Sequence, residues 1–191
     1  MSINSTNNIV MKQKLALLTA LLIAPLASLH SADASAPMKP NITFIMADDL
    51  GYGDVSIYGS TIQTPNIDQL AKDGLKFTDF HSNGPNCSPT RCAFMTGRYQ
   101  NRAGIASLVG ANTGLAQDEF TLAEAMKSAG YATAMFGKWH LGELPKFNPT
   151  MQGFDEYKGH LTGRINYFTH CAAGGDNQPD WWNGCEPLED V

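Results

Sequence analysis

The strongest constraint on what this chain can fold into is a regular alternation of short apolar runs with segments bounded by helix start and stop signals. The apolar runs have the length of buried strands and lie at 41–47, 75–80 and 131–136. Two helical segments lie between them, at 64–74 and 121–130. Alternation of this kind is typical of right-handed crossover units around a parallel sheet. We therefore predict an α/β fold in three layers, with a mostly parallel sheet flanked by helices.

The helical segments are recognised by their ends. Thr64 stands in the N-cap position with Pro65 at the first helical position, and a glycine ends the segment. Thr121 and Glu124 form a capping box at the start of the second segment, which a glycine also ends. A Ser-Pro pair followed by a later glycine predicts a third helix over 89–96.

Residues 1–34 have the composition of a secretory signal peptide. Lys12 and Lys14 precede an apolar run over 15–29, and small residues with an Ala-x-Ala pattern follow. The alternative is a membrane anchor, but the run is short for a span of about 20 residues and Pro25 interrupts it. We therefore predict export to the periplasm or the extracellular space, with no membrane attachment after cleavage.

Composition narrows the class of protein further. Of the 191 residues, 43% are hydrophobic and 16% are charged, which is enough apolar material for one globular domain. The formal net charge of -5 argues against nucleic acid as a partner, since a basic face would be expected. Any anionic substrate must therefore be attracted by local cations. In an oxidising compartment Cys171 and Cys185 could pair, or both could stay free thiols.

Polar side chains follow two of the predicted strands at the point where each strand ends. Asp48 and Asp49 come after the first apolar run, and Lys138 and His140 come after the third. Ligands bind to open α/β sheets at the carboxyl ends of the strands. In an extended segment Lys138 and His140 project to the same side, so both can face one anion. The sequence therefore predicts a ligand-binding site at the edge of the sheet where these two strands end.

Cys87 and Arg91 lie four residues apart at the start of the third helix. This spacing puts them on one helix face, about 5.4 Å or one turn apart. The amino end of a helix offers free N–H groups and a positive partial charge, which stabilise an anion or an oxyanion nucleophile. Without further context, Cys87 and Arg91 would be interpreted as a buried cysteine beside a surface arginine.

Two longer stretches resemble the signatures of the formylglycine-dependent sulfatases. Cys-Ser-Pro-Thr-Arg at 87–91, with Met-Thr-Gly-Arg at 95–98, is similar to the first signature. The run at 130–142, which contains Gly-Lys-Trp-His-Leu-Gly, resembles the second. The family's opening is matched by Asp-Asp-Leu-Gly at 48–51 and Thr-Pro-Asn-Ile-Asp at 64–68. The chain thus resembles the type I sulfatases of the alkaline-phosphatase-like superfamily.

The resemblance implies a mechanism built on a modified cysteine. A separate formylglycine-generating maturation enzyme would oxidise Cys87 to Cα-formylglycine, whose hydrate attacks the sulfur of a sulfate ester. Arg91 would hydrogen-bond the modified residue, and Lys138 would bind the sulfate and the diol. His140 would take the proton that triggers sulfate release, a role suited to a pKa near neutrality. The substrate would be an aryl sulfate or a sulfated glycan.

The resemblance also implies a calcium ion. Asp48 and Asp49 match the family's first pair of calcium ligands, and the modified Cys87 would contact the same ion. The family's other metal and sulfate ligands come from further along the chain. We therefore expect residues 35–191 to be the amino-terminal part of a catalytic domain, an incomplete version of the fold that is not fully active alone.

Two other functions stay open at this point. A phosphonate or phosphate monoester hydrolase of the same superfamily can carry the same cysteine motif, although the Gly-Lys-Trp-His-Leu-Gly stretch favours a sulfatase. A non-catalytic, secreted glycan-binding remnant would keep Cys87 unmodified. We assign no catalytic role to His81, His160 or His170, which we interpret as structural or close to the substrate. We interpret Trp181 and Trp182 as a packed surface pair rather than a sugar contact.

Overall fold

A computed structural model describes residues 39–173 and 178–188, and the predicted signal peptide at 1–34 lies outside them. The chain divides into two compact units, 1–46 and 47–191. No helix in the described part of the chain combines the length and the apolar character that a bilayer span requires.

The described part of the first unit, residues 39–46, contains neither helix nor strand. Its Ile42, Phe44 and Ile45 are 63%, 59% and 83% exposed. The predicted strand at 41–47 is therefore wrong for this structure. An apolar run becomes a strand only when a neighbouring strand pairs with its backbone, and no strand among the described residues pairs with this one.

The described part of the second unit contains three α-helices. They are α1 at Pro65–Asp73, α2 at Cys87–Thr96 and α3 at Leu122–Ser128. The predicted ends of α1 are confirmed, because Pro65 opens it and the Gly74 amide donates to the Leu70 carbonyl at 3.0 Å. The Thr64 side chain does not cap the helix, and its hydroxyl instead accepts a hydrogen bond from the Ser56 amide at 3.0 Å.

Helix α2 begins two residues earlier than predicted. Asn86 is its N-cap residue, so Cys87 is the first helical residue, and Ser88 and Pro89 lie inside the first turn. Proline is tolerated there because amides of the first turn have no partner within the helix. Gly97 ends the helix in the left-handed conformation with φ of 63°. Cys87 is thereby placed among the free amides of the helix start.

Helix α3 has the predicted capping box. The Thr121 hydroxyl accepts from the Glu124 amide at 3.1 Å, and the Glu124 carboxylate accepts from the Thr121 amide at 2.7 Å. Thr121 is buried, and its hydroxyl also donates to the Gln152 carbonyl at 2.7 Å. Ala123 lies on the buried face of the helix, whereas the neighbouring Leu122 is 41% exposed. The cap therefore ties α3 to the segment that leads into the sheet.

Among the residues that the structure describes, four strands form one sheet in the order β1-β2-β3-β4. They are β1 at Ala134–Lys138, β2 at Glu156–His160, β3 at Trp182–Asn183 and β4 at Glu186–Pro187. β1 and β2 are parallel, and the other two pairs are antiparallel, so the described sheet is mixed. With helices on the same chain, the predicted α/β class is confirmed.

Two of the predicted strand positions need correction. Residues 75–80 form no strand, and Leu75, Phe77 and Phe80 are all more than 60% exposed. The strand predicted at 131–136 begins later and runs to Lys138. Strand β2 was not predicted, because only one of its five residues, Tyr157, is strongly apolar.

The core of the second unit lies directly behind the ends of β1 and β2. Trp139 and Leu141, which follow β1, are almost completely buried, and so are Tyr157 in β2 and Leu161 just after it. Cys92 of α2 packs into the same cluster. The residues that alternate with Trp139 and Leu141 along the chain are Lys138 and His140. The extended conformation predicted from the sequence for this segment ends before His140, whose φ is 53°.

Candidate active site

The parallel pairing of β1 with β2 aligns the ends of the two strands. Lys138, the last residue of β1, is the register partner of His160, the last residue of β2. The two strands therefore end at the same edge of the sheet, where ligands bind in folds of this kind. His140 follows two residues after Lys138, and the amino end of α2 brings Cys87 to the same edge.

Four of the predicted site residues lie within hydrogen-bonding distance of one another. The Lys138 ammonium donates to Cys87 Sγ at 3.1 Å and to Asp48 Oδ2 at 2.9 Å. The Arg91 guanidinium donates to Asp48 Oδ1 at 3.2 Å and also to the Lys138 carbonyl. Residues as far as 90 positions apart in sequence are thus linked by hydrogen bonds beside the Cys87 sulfur atom.

The cluster formed by Asp48, Cys87, Arg91 and Lys138 contains unequal numbers of positive and negative charges. The side chains of Lys138 and Arg91 are 9% and 11% exposed, whereas Asp48 is 45% exposed. Partial burial raises the pKa of Asp48, but the hydrogen bonds and charges of Lys138 and Arg91 outweigh it, so the pKa is lowered overall. Two cations beside one ionised carboxylate leave a formal excess of one positive charge. The cluster can therefore attract an anion to a protein that is acidic overall.

Asp49 lies next to Asp48 and completes the pair of carboxylates that the sequence predicts as calcium ligands. Asp49 is exposed and has φ of 55°, in the left-handed region. The hard oxygens suit calcium, but this ion takes six to eight of them. The described residues contain no group of three or more His, Cys, Asp or Glu side chains that could hold a metal ion. These residues alone therefore do not make a calcium site.

His140 is held in a strained and buried position beside the cluster. It is 7% exposed, has φ of 53°, and its Nδ1 atom has no hydrogen-bond partner among the described residues. A Cβ atom built on Gly163 would lie 2.5 Å from the His140 Cε1 atom, so the imidazole lies directly against that glycine. A non-glycine residue in this backbone region costs free energy and is often found at functional sites.

The pKa of His140 differs from the expected value near neutrality. Burial, and to a smaller extent the charges of Lys138 and Arg91, lower the pKa of His140 to about 4, against the opposing effect of Asp48. His160 has its pKa lowered too, chiefly by burial. At neutral pH the His140 imidazole is therefore uncharged and can accept a proton. An anion bound at the cluster would raise its pKa.

We expect the free energy of unfolding to fall as the pH is lowered from about 6.5 towards 4. The unfolded chain binds a proton at the ordinary histidine pKa, whereas folded His140 does so only near pH 4. Stability is therefore lost as the pH falls through this window, by up to about 3 kcal/mol. Urea titrations at several pH values measure the slope. A His140→Gln variant should have a clearly smaller slope, and an unchanged one would contradict the lowered pKa.

Sequence reasoning missed the buried Asp180. Its carboxylate accepts hydrogen bonds from the amides of Leu161 and Thr162, at 3.0 and 2.9 Å, and from the Trp182 indole at 2.8 Å. These contacts reach the segment that follows β2, next to His140. No motif marks Asp180, because the two amides it binds lie 18 and 19 positions earlier and the surrounding sequence has no regular pattern.

The two later cysteines are free thiols in this structure. Cys171 Sγ donates to the Thr169 carbonyl at 3.3 Å, and Cys185 Sγ lies 3.1 Å from the Thr150 hydroxyl. Of the two alternatives left open by the sequence, the structure therefore has the unpaired one.

Comparison with known proteins identifies the family. The family model described as Sulfatase matches residues 40–181. N-acetylgalactosamine-6-sulfatase of Rattus norvegicus is 41% identical over 150 residues, which are 73% of this chain and 29% of the relative. Steryl-sulfatase of Homo sapiens is 49% identical over 123 residues, which are 60% of this chain and 21% of the relative.

Solved structures are also similar to this chain. The crystal structure of Ps i-CgsB is similar with a TM-score of 0.73 and 38% identity, over 80% of this chain and 38% of that one. Ps i-CgsB in complex with k-i-k-neocarrahexaose has a TM-score of 0.68 and 35% identity, over 75% of this chain and 36% of that one. The chain belongs to the sulfatase family. It spans between a fifth and a third of the length of these curated relatives.

Proposed function

We propose that this chain is the part of a sulfuric ester hydrolase that contains the nucleophile, which forms when Cys87 is converted to Cα-formylglycine. The observation that carries the proposal is the contact of Lys138 with Cys87 Sγ at 3.1 Å, in a cluster that also contains Arg91 and Asp48. A lysine and an arginine next to one side chain at a helix start suit an oxyanion nucleophile and an anionic substrate.

The proposed reaction needs only water and the ester. The hydrated aldehyde at position 87 carries two hydroxyl groups, and one attacks the sulfur while the S–O bond to the alcohol breaks. The alcohol leaves with a proton, and the sulfate stays as an ester of the diol. The second hydroxyl then loses its proton, the aldehyde re-forms, and the C–O bond to sulfate breaks. Addition of water to the aldehyde restores the diol.

The cations have separate tasks in this scheme. Lys138 reaches the side chain at position 87 directly, so it can bind both the diol and the transferred sulfate. Arg91 is held by the Lys138 carbonyl and by Asp48, and it offsets the negative charge that develops at the modified residue. Both side chains are mostly buried, which strengthens their interaction with an anion relative to that in water.

His140 is the proposed base for sulfate release. Its uncharged imidazole can take the proton of the remaining hydroxyl group, and the negative sulfate ester nearby stabilises the imidazolium that forms. Its position two residues after Lys138 in the chain puts it at the same strand end as the nucleophile.

We further propose that Asp48 and Asp49 contribute two carboxylates to a calcium site whose other ligands lie outside the described residues, with the modified Cys87 as a neighbour. When bound, calcium would polarise sulfate oxygens. Since Asp48 is bonded to Lys138 and Arg91 here, its carboxylate would have to share those contacts with the ion.

The proposed partners follow from the family and the charge of the site. A sulfated glycan or an aryl sulfate is the substrate class, and the complex of the related Ps i-CgsB with k-i-k-neocarrahexaose supports the first of these. A formylglycine-generating enzyme would modify Cys87, and residues 1–34 would direct export.

The test uses the protein expressed together with the rest of its reading frame. The peptide that contains residue 87 should carry an aldehyde in mass spectrometry, and an aryl sulfate should be turned over faster than an aryl phosphonate. Faster phosphonate turnover would make the protein a phosphonate hydrolase. An unmodified thiol, together with binding of sulfated glycan and no turnover, would indicate a non-catalytic remnant instead.

A further inference from the structure

We propose that Asp180 is a positioning residue for His140: its buried carboxylate holds the turn after β2, and this turn orients the imidazole that takes the proton during sulfate release. The inference rests on the proposed function, because it depends on the role given there to His140. It adds a residue from a distant segment that contacts neither the nucleophile nor the cations around it.

The carboxylate of Asp180 is fully engaged in holding the turn. Asp180 is 5% exposed, and its Oδ1 atom accepts from the Leu161 amide and the Trp182 indole, while Oδ2 accepts from the Thr162 amide. Hydrogen bonds to an ionised acceptor are about twice as strong as neutral ones. Burying a carboxylate is costly without such bonds. The three donors therefore fix Asp180, and Asp180 in turn fixes two successive amides of the turn.

The same turn contacts His140 on two sides. The Leu161 carbonyl accepts from the His140 amide at 3.1 Å. Gly163, the residue after Thr162, lies against the imidazole so closely that an added Cβ atom would approach the ring nitrogen Nε2 to 2.8 Å. The backbone of His140 is left-handed and needs support from its surroundings. That support comes from the residues that Asp180 holds.

Asparagine at position 180 would weaken this arrangement without changing its volume. An amide has one carbonyl oxygen and one NH₂ group, so at least one of the three N–H donors would face another donor. A buried donor left without an acceptor is unfavourable, and the turn would shift to relieve it. Proton transfer depends strongly on geometry, so a small displacement of the imidazole slows it.

The first experiment is Asp180→Asn in the full-length enzyme with an aryl sulfate. We expect kcat to fall about 10- to 100-fold with little change in KM, and sulfated enzyme to accumulate during turnover. Asp155→Asn is the matched control, because the Asp155 carboxylate holds the Thr133 amide at 2.9 Å, near the opposite end of β2. The control should keep kcat and accumulate no sulfated enzyme. Equal losses in both variants would overturn the proposal.

A double variant separates positioning from general stability. If Asp180 acts through His140, then His140→Ala combined with Asp180→Asn should be no slower than His140→Ala alone. Multiplied losses would show that Asp180 acts independently, and would overturn the inference.

The Gly163→Ala variant tests the contact between the turn and the His140 imidazole without changing Asp180. It can replace Asp180→Asn if that variant does not fold. Its added methyl group displaces the imidazole directly, so kcat should fall and sulfated enzyme should accumulate. Wild-type kinetics in the Gly163→Ala variant would contradict the inference, because the turn would then not control the position of the imidazole.

An NMR measurement that does not depend on turnover distinguishes failure of this inference from failure of the proposed function. In ¹H–¹³C spectra, the His140 Cε1 resonance should shift or broaden in Asp180→Asn and stay in place in Asp155→Asn. If the wild type hydrolyses no sulfate ester, the proposed function fails, yet the spectra still decide whether Asp180 positions the ring. An unmoved resonance would overturn the inference.

Discussion

The Cys87→Ala variant is expected to lose turnover of sulfate esters by at least about 10⁴-fold while the protein stays folded. The reason is that alanine can form neither an aldehyde nor its hydrate, so no nucleophile remains at the helix start. Cys87 is partly exposed and lies outside the core cluster, so its removal creates no large cavity. Initial rates with an aryl sulfate and the circular dichroism spectrum of the same sample measure both parts.

The matched control for this variant is Cys185→Ala. Cys185 is exposed and its Sγ contacts only the Thr150 hydroxyl among the hydrogen bonds of the described residues, so turnover should be retained. Turnover by Cys87→Ala within tenfold of the wild-type rate would mean that another group performs the attack. The proposed mechanism would then be wrong.

The His140→Ala variant is expected to lower kcat by about 10²- to 10⁴-fold, the range typical for loss of a general base. Attack on the ester does not need His140 in the proposed scheme, whereas release of sulfate does. The covalently sulfated form of residue 87 should therefore accumulate. Mass spectrometry of acid-quenched enzyme during turnover detects the added sulfate.

His81→Ala is the control, because His81 has an 83% exposed side chain that pairs with Asp79. It should turn over normally and carry no sulfate. Absence of sulfated enzyme in His140→Ala, at a rate well below wild type, would show that the histidine acts before or during the attack. Its role in release would then be refuted.

The elements marked by local signals were predicted well. The capping box of Thr121 and Glu124 depends only on atoms within three residues of each other, and it forms as the sequence indicates. The same holds for the proline that opens α1 and for the glycine that ends α2. Such signals act through nearby backbone groups, so they need little help from the rest of the fold.

Strands were predicted less well, because a strand depends on a partner that its own residues do not specify. The apolar runs at 41–47 and 75–80 have strand composition but stay exposed and unpaired with any described strand. Strand β2 has little apolar character, yet it forms because β1 pairs with it along its whole length. Propensity for strands is mostly a matter of context.

For this protein, the sequence by itself determined the family, the presence of a helix beside Cys87, and the set of residues that could form a site, since short motifs and end signals are local properties. Only the tertiary structure decided that Lys138 contacts Cys87, that Asp180 holds the turn beside His140, and that the His140 pKa is lowered to about 4. Distances, burial and electrostatic shifts depend on which distant segments pack together. That packing is set by the whole chain and not by any one motif.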